Sequence, residues 1–254
     1  MEKNITVGIV TYNSSNEIDD LLKSIQECSS FEKLDVHVVD NASEDDTTDI
    51  IKNRYPWVNL IVNEKNIGFG RAHNIIINNI VSKYHIIVNP DIKLYKDTIK
   101  ETEKYMDECE DVSICSPYVE NEDGTQQYLP KRNPSFKYLL GGMLENKFKW
   151  AKKIRDEYTR KNECINYPVN VEFCTGAFMF VRTDVLKSVK GFDEKYFLHF
   201  EDADLTRKLR EKGEAIYNPN IKVVHRWHRE NRKVNKSFFV ALKSMCIYMN
   251  KWGM

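Results

Sequence analysis

Short β-branched runs alternate with helix-length amphipathic stretches through the first ninety residues, and that alternation limits the fold more than any other feature. Ile5 to Thr11 (ITVGIVT) has the pattern of a strand buried on both faces. Behind it Ile18, Leu21, Leu22 and Ile25 recur at helical spacing. Val36 to Val39 reads as the next strand, and Ser43 with acidic residues after it predicts the start of a second helix. Val58 to Val62, a helix from about Arg71 to Val81, and Ile86 to Val88 repeat the cycle. Strands that alternate with helices build a parallel sheet through right-handed crossovers. The expected class is therefore α/β, with a mainly parallel central sheet flanked by helices.

The second half is less regular. Residues from about Pro130 to Lys161 form a basic and aromatic excursion, and Val171 to Arg182 returns to a strand-like pattern through Cys174-Thr175-Gly176. A helix over Leu205 to Lys212 is expected to end on Gly213 as a left-handed cap. Strands near Ala215 to Tyr217 and Ile221 to Val224 follow, then an amphipathic helix from about Lys236 to Lys251. No repeat and no linker interrupts the chain, so residues 1–233 are taken as one domain. Residues 234–254 are taken as a C-terminal helix that packs on the domain, on a second copy or on a membrane surface.

The 254 residues suffice for one large α/β domain. Thirty-eight basic and 38 acidic side chains cancel, so no overall charge draws the chain to nucleic acid, and none is expected as a partner. Cys28, Cys109, Cys115, Cys164, Cys174 and Cys246 show neither a CxxC pair nor zinc-ligand spacing. With no signal peptide, reduced thiols in the cytoplasm are expected. No apolar run approaches the roughly 20 residues of a membrane span, which leaves at most peripheral membrane contact.

In sheets of this kind ligands collect beyond the carboxyl ends of the strands. The polar clusters there are Thr11-Tyr12-Asn13, Asp40-Asn41-Ala42-Ser43, Asn66 to Asn74 and Asn89-Pro90-Asp91, and all four are expected on one edge. Ser43 with Asp46 can form a helix cap, whereas a carboxylate closing a buried strand, Asp40, needs a partner such as a nucleobase imide. NIGFGRAHN leads into a helix whose amides can face a phosphate; its glycines also serve a tight turn. A dinucleotide fingerprint needs glycine where His73 stands, which argues against a dinucleotide-dependent oxidoreductase and makes Arg71 the better phosphate or ribose contact. Asp91 suits a hard divalent cation bridging a diphosphate, and His225, which also follows an apolar run, can complete that site. Either residue alone has an ordinary structural reading, a turn former or a core histidine.

Glu201-Asp202-Ala203-Asp204 opens a helix behind the aromatic run Tyr196 to Phe200. The helix dipole favours acids there. Three carboxylates beside aromatics also suit a general base with a raised pKa.

Taken in order, TYN, VDNASEDD, NIGFGRAHN, VNPD, CTGAFMFVR, GFDE, FEDADL and VVH resemble glycosyltransferase family 2, the inverting enzymes of GT-A fold. The likeness covers about residues 5 to 230, and NPD, GFDE, EDADL and the closing segment look most like bacterial rhamnosyltransferases of surface polysaccharide synthesis. The resemblance implies a nucleotide-sugar donor, a glycan or polyprenyl-linked acceptor, and Mg²⁺ or Mn²⁺. It places the base and ribose at Thr11, Tyr12, Asn13, Asp40 and Asn41, with Arg71, Asn74, Asn89 and Pro90 near the ribose and diphosphate. Asp91 and His225 would ligate the metal, Asp202 would act as base, and Glu201 and Asp204 would position sugar hydroxyls. Thr175, Gly176 and Ala177 would form the floor under the sugar. Asn89 replaces the first acid of the family's D-x-D, so metal binding would rest on Asp91, His225 and the diphosphate. A nucleotidylyltransferase would instead show a glycine- and arginine-rich loop after the first strand, where TYNSSNE stands. A non-catalytic sugar-binding module would tolerate loss of the acids, which are intact.

Overall fold

The computed structural model describes residues 3–226 and 236–253, with side chains in the last helix from residue 239 onward. Strand β1 (Ile5–Thr11), helix α1 (Ile18–Gln26), β2 (Leu34–Asp40), α2 (Thr47–Arg54), β3 (Asn59–Val62), α3 (Phe69–Ile77) and β4 (Tyr84–Val88) form the alternating half. Then come β5 (Ile92–Leu94), α4 (Thr98–Glu108), β6 (Val112–Glu120) and β7 (Gln126–Gln127). A helical hairpin follows, α5 (Phe136–Leu144) and α6 (Lys149–Tyr158). The chain finishes with β8 (Val169–Asn170), β9 (Phe178–Arg182), α7 (Thr183–Ser188), α8 (Glu201–Arg210), β10 (Glu214–His225) and α9 (Lys236–Trp252).

The main path of the sheet runs β3-β2-β1-β4-β9-β6-β10-β5. The four first-half strands pair in parallel, as do β6 and β10, while β9 lies antiparallel between β4 and β6. The mainly parallel expectation thus holds for the first-half strands and for β6 with β10, while β9 is reversed between them and the short β5, β7 and β8 pair antiparallel beside β6 and β10. Ile5, Val7 and Ile9 of β1 and Ile86 and Val88 of β4 pack with α1's Ile18, Leu21, Leu22 and Ile25 in the main core, as a strand buried on both faces requires.

Several boundaries move for physical reasons. Helix α2 starts at Thr47 rather than Ser43, because Ser43 is engaged elsewhere: its Oγ donates to Asp40 and accepts from the Asn13 amide. Residues 171–177 are irregular, and only 178–182 form the strand. The two expected C-terminal strands are one, β10, with an irregularity between Asn218 and Lys222. Gly213 is not left-handed; a Cβ there would stand 2.6 Å from the Asp111 carbonyl, so glycine serves close packing against the start of β6. Among the described residues no helix is long and apolar enough to cross a membrane.

Candidate functional site

Two adjoining clefts open beyond the carboxyl ends of β1, β2 and β4. The first, about 360 Å³, is lined by Thr11, Tyr12, Asn13, Asn41, Asn66, Gly68, Asn89, Pro90 and Asp91. Four segments distant in sequence meet there. Gly68 sits at φ +94°, and a Cβ would stand 2.5 Å from the Phe197 carbonyl, which itself accepts from the Phe69 amide. The glycine therefore lets the loop before α3 close onto the loop before α8. The second cleft, about 510 Å³, is lined by Asn89, Lys131, Thr175, Gly176, Ala177, Glu201, Asp202 and His225. Phe69, Asn89 and Leu198 belong to both walls, so the clefts share a boundary.

Asp91 and His225 are brought together across 134 positions of sequence, with Oδ2 and Nε2 3.1 Å apart. Gln127 sets the imidazole. Its amide nitrogen donates to the His225 carbonyl at 2.8 Å and to Asn121 Oδ1 at 2.7 Å, so its Oε1 faces His225 Nδ1 at 2.8 Å. An amide oxygen only accepts, which puts the ring proton on Nδ1 and turns the Nε2 lone pair toward Asp91. At 3.1 Å, Nε2 and Oδ2 are close enough to share a cation, whether a proton or a metal ion. Asp91 Oδ1 is also shut from solvent without a hydrogen-bond partner. These donors fit a divalent ion. Among the described residues no three His, Cys, Asp or Glu side chains cluster as a metal site, so an octahedral ion here needs further oxygens from a ligand. Gln127 carried no signal in the sequence; it is placed by the hairpin of β6 and β7.

The acids of α8 divide into different roles. Asp202 Oδ2 accepts from the Gly176 amide at 3.1 Å and Oδ1 from the Ala203 amide at 2.9 Å. Burial raises its pKa, while those amides and Lys131 oppose the rise. Glu201 has less help: burial, and then the Asp202 charge, push it up to about 8 against one backbone hydrogen bond, and Oε2 lacks a partner. Of the two, Glu201 holds the proton and Asp202 the charge. The helix is entered through His199 and Phe200, both at positive φ (69° and 67°), a strained approach that aims the acids into the cleft.

Lys131, which no motif marked, lies over the rings of Phe173 and Tyr158 with Nζ 5.3 and 6.0 Å from their centroids. Burial and the nearby Arg155 lower it to about 8. It comes from the basic aromatic stretch that the sequence set apart.

Four expected residues do not line either cleft. Asp40 is fully buried, and Thr11 Oγ1, Ser43 Oγ and the Ser43 amide satisfy its carboxylate at 2.5–2.8 Å, so no nucleobase is needed. Arg71 is exposed and donates to the Glu194 carbonyl. Asn74 bridges both backbone polar groups of Phe192, which ties α3 to the GFDE loop. Asp204 is fully buried and held by Lys251 Nζ and Trp252 Nε1, each at 2.8 Å, so it anchors α9 rather than a sugar. The closing stretch beyond Arg226 lies, from 227 to 235, outside the described residues.

This is the GT-A fold of nucleotide-diphospho-sugar transferases. Residues 6–189 match the Glycosyl transferase family 2, and the chain belongs to that family. It is 26% identical over 239 residues to the N-acetylglucosaminyl-diphospho-decaprenol L-rhamnosyltransferase of Mycobacterium tuberculosis, covering 87% of this chain and 75% of the relative. It is 29% identical over 194 residues to Rhamnosyltransferase WbbL of Escherichia coli K12, covering 72% and 70%. Among solved structures it resembles S. aureus TarS 1–349 in complex with UDP-GlcNAc, with a TM-score of 0.65, 20% identity and coverage of 100% and 68%. A similar likeness holds to the mannosyltransferase PcManGT from Pyrobaculum calidifontis in complex with GDP-Man and Mn²⁺, with a TM-score of 0.65, 15% identity and coverage of 100% and 77%. The chain spans 60% of the length of another TarS 1–349 chain. At these identities the structural likeness concerns the fold.

Proposed function

We propose that the chain transfers a sugar, best matched by L-rhamnose from dTDP-β-L-rhamnose, onto a hydroxyl of a glycan or polyprenyl-linked acceptor, with inversion. The observation that carries this reading is the shared wall of the clefts. A slot at the nucleotide edge runs past Asn89 into a chamber that holds Asp202, seated on two backbone amides, beside Glu201, whose pKa burial raises. Two relatives are named as rhamnosyltransferases, which supports the sugar, and one is named for a lipid-diphosphate acceptor, which supports the acceptor class.

Thr11, Tyr12, Asn13 and Asn41 would hold the nucleoside, and Thr175, Gly176 and Ala177 the sugar. Mg²⁺ or Mn²⁺ held by Asp91 and His225 would neutralise charge on the departing diphosphate. Asp202 takes the acceptor's hydroxyl proton while its oxygen bonds to the anomeric carbon. The bond from that carbon to the diphosphate oxygen breaks, and a single displacement inverts the centre. A nucleotide-sugar donor and thiols expected in the reduced state support a cytoplasmic reaction.

Purified protein with Mn²⁺ and a panel of nucleotide sugars tests this by release of nucleoside diphosphate. Release from dTDP-rhamnose that EDTA abolishes is the expected result. Release from a UDP- or GDP-sugar alone would reject rhamnose, and failure to bind dTDP, UDP or GDP would reject transfer. Asp202→Asn is expected to lower kcat by about 10²–10⁴-fold while dTDP binding stays unchanged; normal kcat would exclude Asp202 as the base.

A further inference from the structure

Among its described side chains helix α9 turns Ser244, Met245, Tyr248 and Met249 onto the domain, its end is tied to Asp204, and Phe239 and Leu242 are its exposed large apolar residues. A larger exposed apolar face lies on another element. On α5, Phe136, Leu140 and Met143 follow at i, i+4 and i+7 and are 61%, 48% and 59% exposed. Phe148, at the N-cap of α6, and Trp150, in its first turn, add to this face, also about half exposed, with ring centroids 5.9 Å apart and 21° between the ring planes. The hairpin's own packing lies on its other side. Its inner side closes at Gly141, where a Cβ would stand 2.5 Å from Ile154, and Tyr138 stacks on Tyr158 at 5.0 Å.

The surrounding charge says what covers the face. Lys147, Lys149, Lys152 and Lys153 are exposed, and among the described residues none is in an ion pair, whereas the hairpin's Glu145 and Glu157 are paired with Arg155 and Lys137. We propose that the α5–α6 hairpin docks on an anionic lipid bilayer, with Phe136, Leu140, Met143, Phe148 and Trp150 entering the headgroup boundary and the four lysines meeting lipid phosphates. Aromatics flanked by lysines with long apolar stems suit that interface. A second copy suits it poorly: a two-fold contact on this patch would bring eight like charges together, twice the four counted here.

The placement also serves the clefts. Lys131 and Pro134, just before α5, and Tyr158, at the end of α6, line the acid-bearing cleft, so the docked hairpin holds its mouth beside the bilayer. The inference rests on the surface alone, and vesicle binding reads it without any transfer step.

The test is flotation of the full chain with vesicles of phosphatidylglycerol and phosphatidylcholine, against phosphatidylcholine alone. Wild type is expected to float with the anionic vesicles and to release in high salt. Phe148→Ser with Trp150→Ser is expected to lower the bound fraction by about tenfold or more, as is reversal of the four lysines to glutamate, with unchanged circular dichroism and thermal midpoint. Leu242→Ser on α9 is expected to float like wild type. No binding of wild type to the anionic vesicles would overturn the proposal, as would equal binding by the Phe148/Trp150 variant. A concentration-dependent dimer that this variant dissociates would assign the face to a second copy and overturn it too.

Discussion

Between Glu201 and Asp202 the backbone decides which carboxylate is charged. Asp202 receives two amide hydrogen bonds and the field of Lys131, whereas burial and then its neighbour's charge act on Glu201 against a single backbone hydrogen bond. The general base must be ionised, so activity is expected to fall on the acid side as Asp202 binds a proton, at a pH above the ordinary aspartate range. Glu201→Gln mimics the protonated acid, so kcat at neutral pH is expected to stay within about tenfold while the titration near pH 8 disappears from the rate profile. Loss of activity as deep as in Asp202→Asn would reverse the assignment of the two roles. Lys131→Met removes a cation that lowers the Asp202 pKa, so the acid limb is expected to move to higher pH. An unmoved limb would remove Lys131 from the site's electrostatics. The EDAD motif was legible because acids behind aromatics stand out in any chain. That Asp204 belongs to another job was not, since its partners lie 47 and 48 residues later.

Elements built from local pattern were the readable ones. Strands β1, β2 and β4 and helix α1 follow from runs and spacing within a dozen residues, and they position the TYN and NPD turns. Strand β6, absent from the sequence reading, is paired with β10 about a hundred residues away and carries Pro117 opposite Asn218, near the irregularity. The α3 layer holds a second case. His73 and His85 are fully buried with no hydrogen-bond partner, one between Phe69 and Phe192, the other against Gly8. Burial lowers both pKa values, that of His85 to about 3. Below pH 6.5 the unfolded chain binds protons that the fold refuses, so stability is complete above about 6.5 and falls as the pH drops. The slope approaches about 1.4 kcal/mol per pH unit for each histidine. The urea midpoint is expected to be lower at pH 5.5 than at 7.5, and His85→Met should reduce the difference; equal midpoints in wild type would show that the histidines do not limit acid stability.

At the scale of the molecule the site is a meeting of distant parts. Asp91 follows β4 and lines the first cleft, His225 closes β10 and lines the second with Glu201 and Asp202 of α8, and Gln127 behind His225 comes from β7. Asp91 and His225, the two ligands proposed, would be too few to hold Mg²⁺ or Mn²⁺ tightly, and a diphosphate in the adjoining slot would supply the missing oxygens. Metal and nucleotide should therefore bind with mutual reinforcement. Titration calorimetry of Mn²⁺ is expected to give weak uptake by the protein alone and tighter uptake with dTDP present. Gln127→Leu removes the acceptor that fixes the His225 tautomer, so Mn²⁺ affinity in the presence of dTDP is expected to fall about 10–100-fold. Binding of dTDP without metal should be unchanged, because Gln127 lines neither cleft. If the variant took up Mn²⁺ as tightly as wild type, the hydrogen bond to Gln127 would be packing alone, and His225 would be oriented by its place at the end of β10.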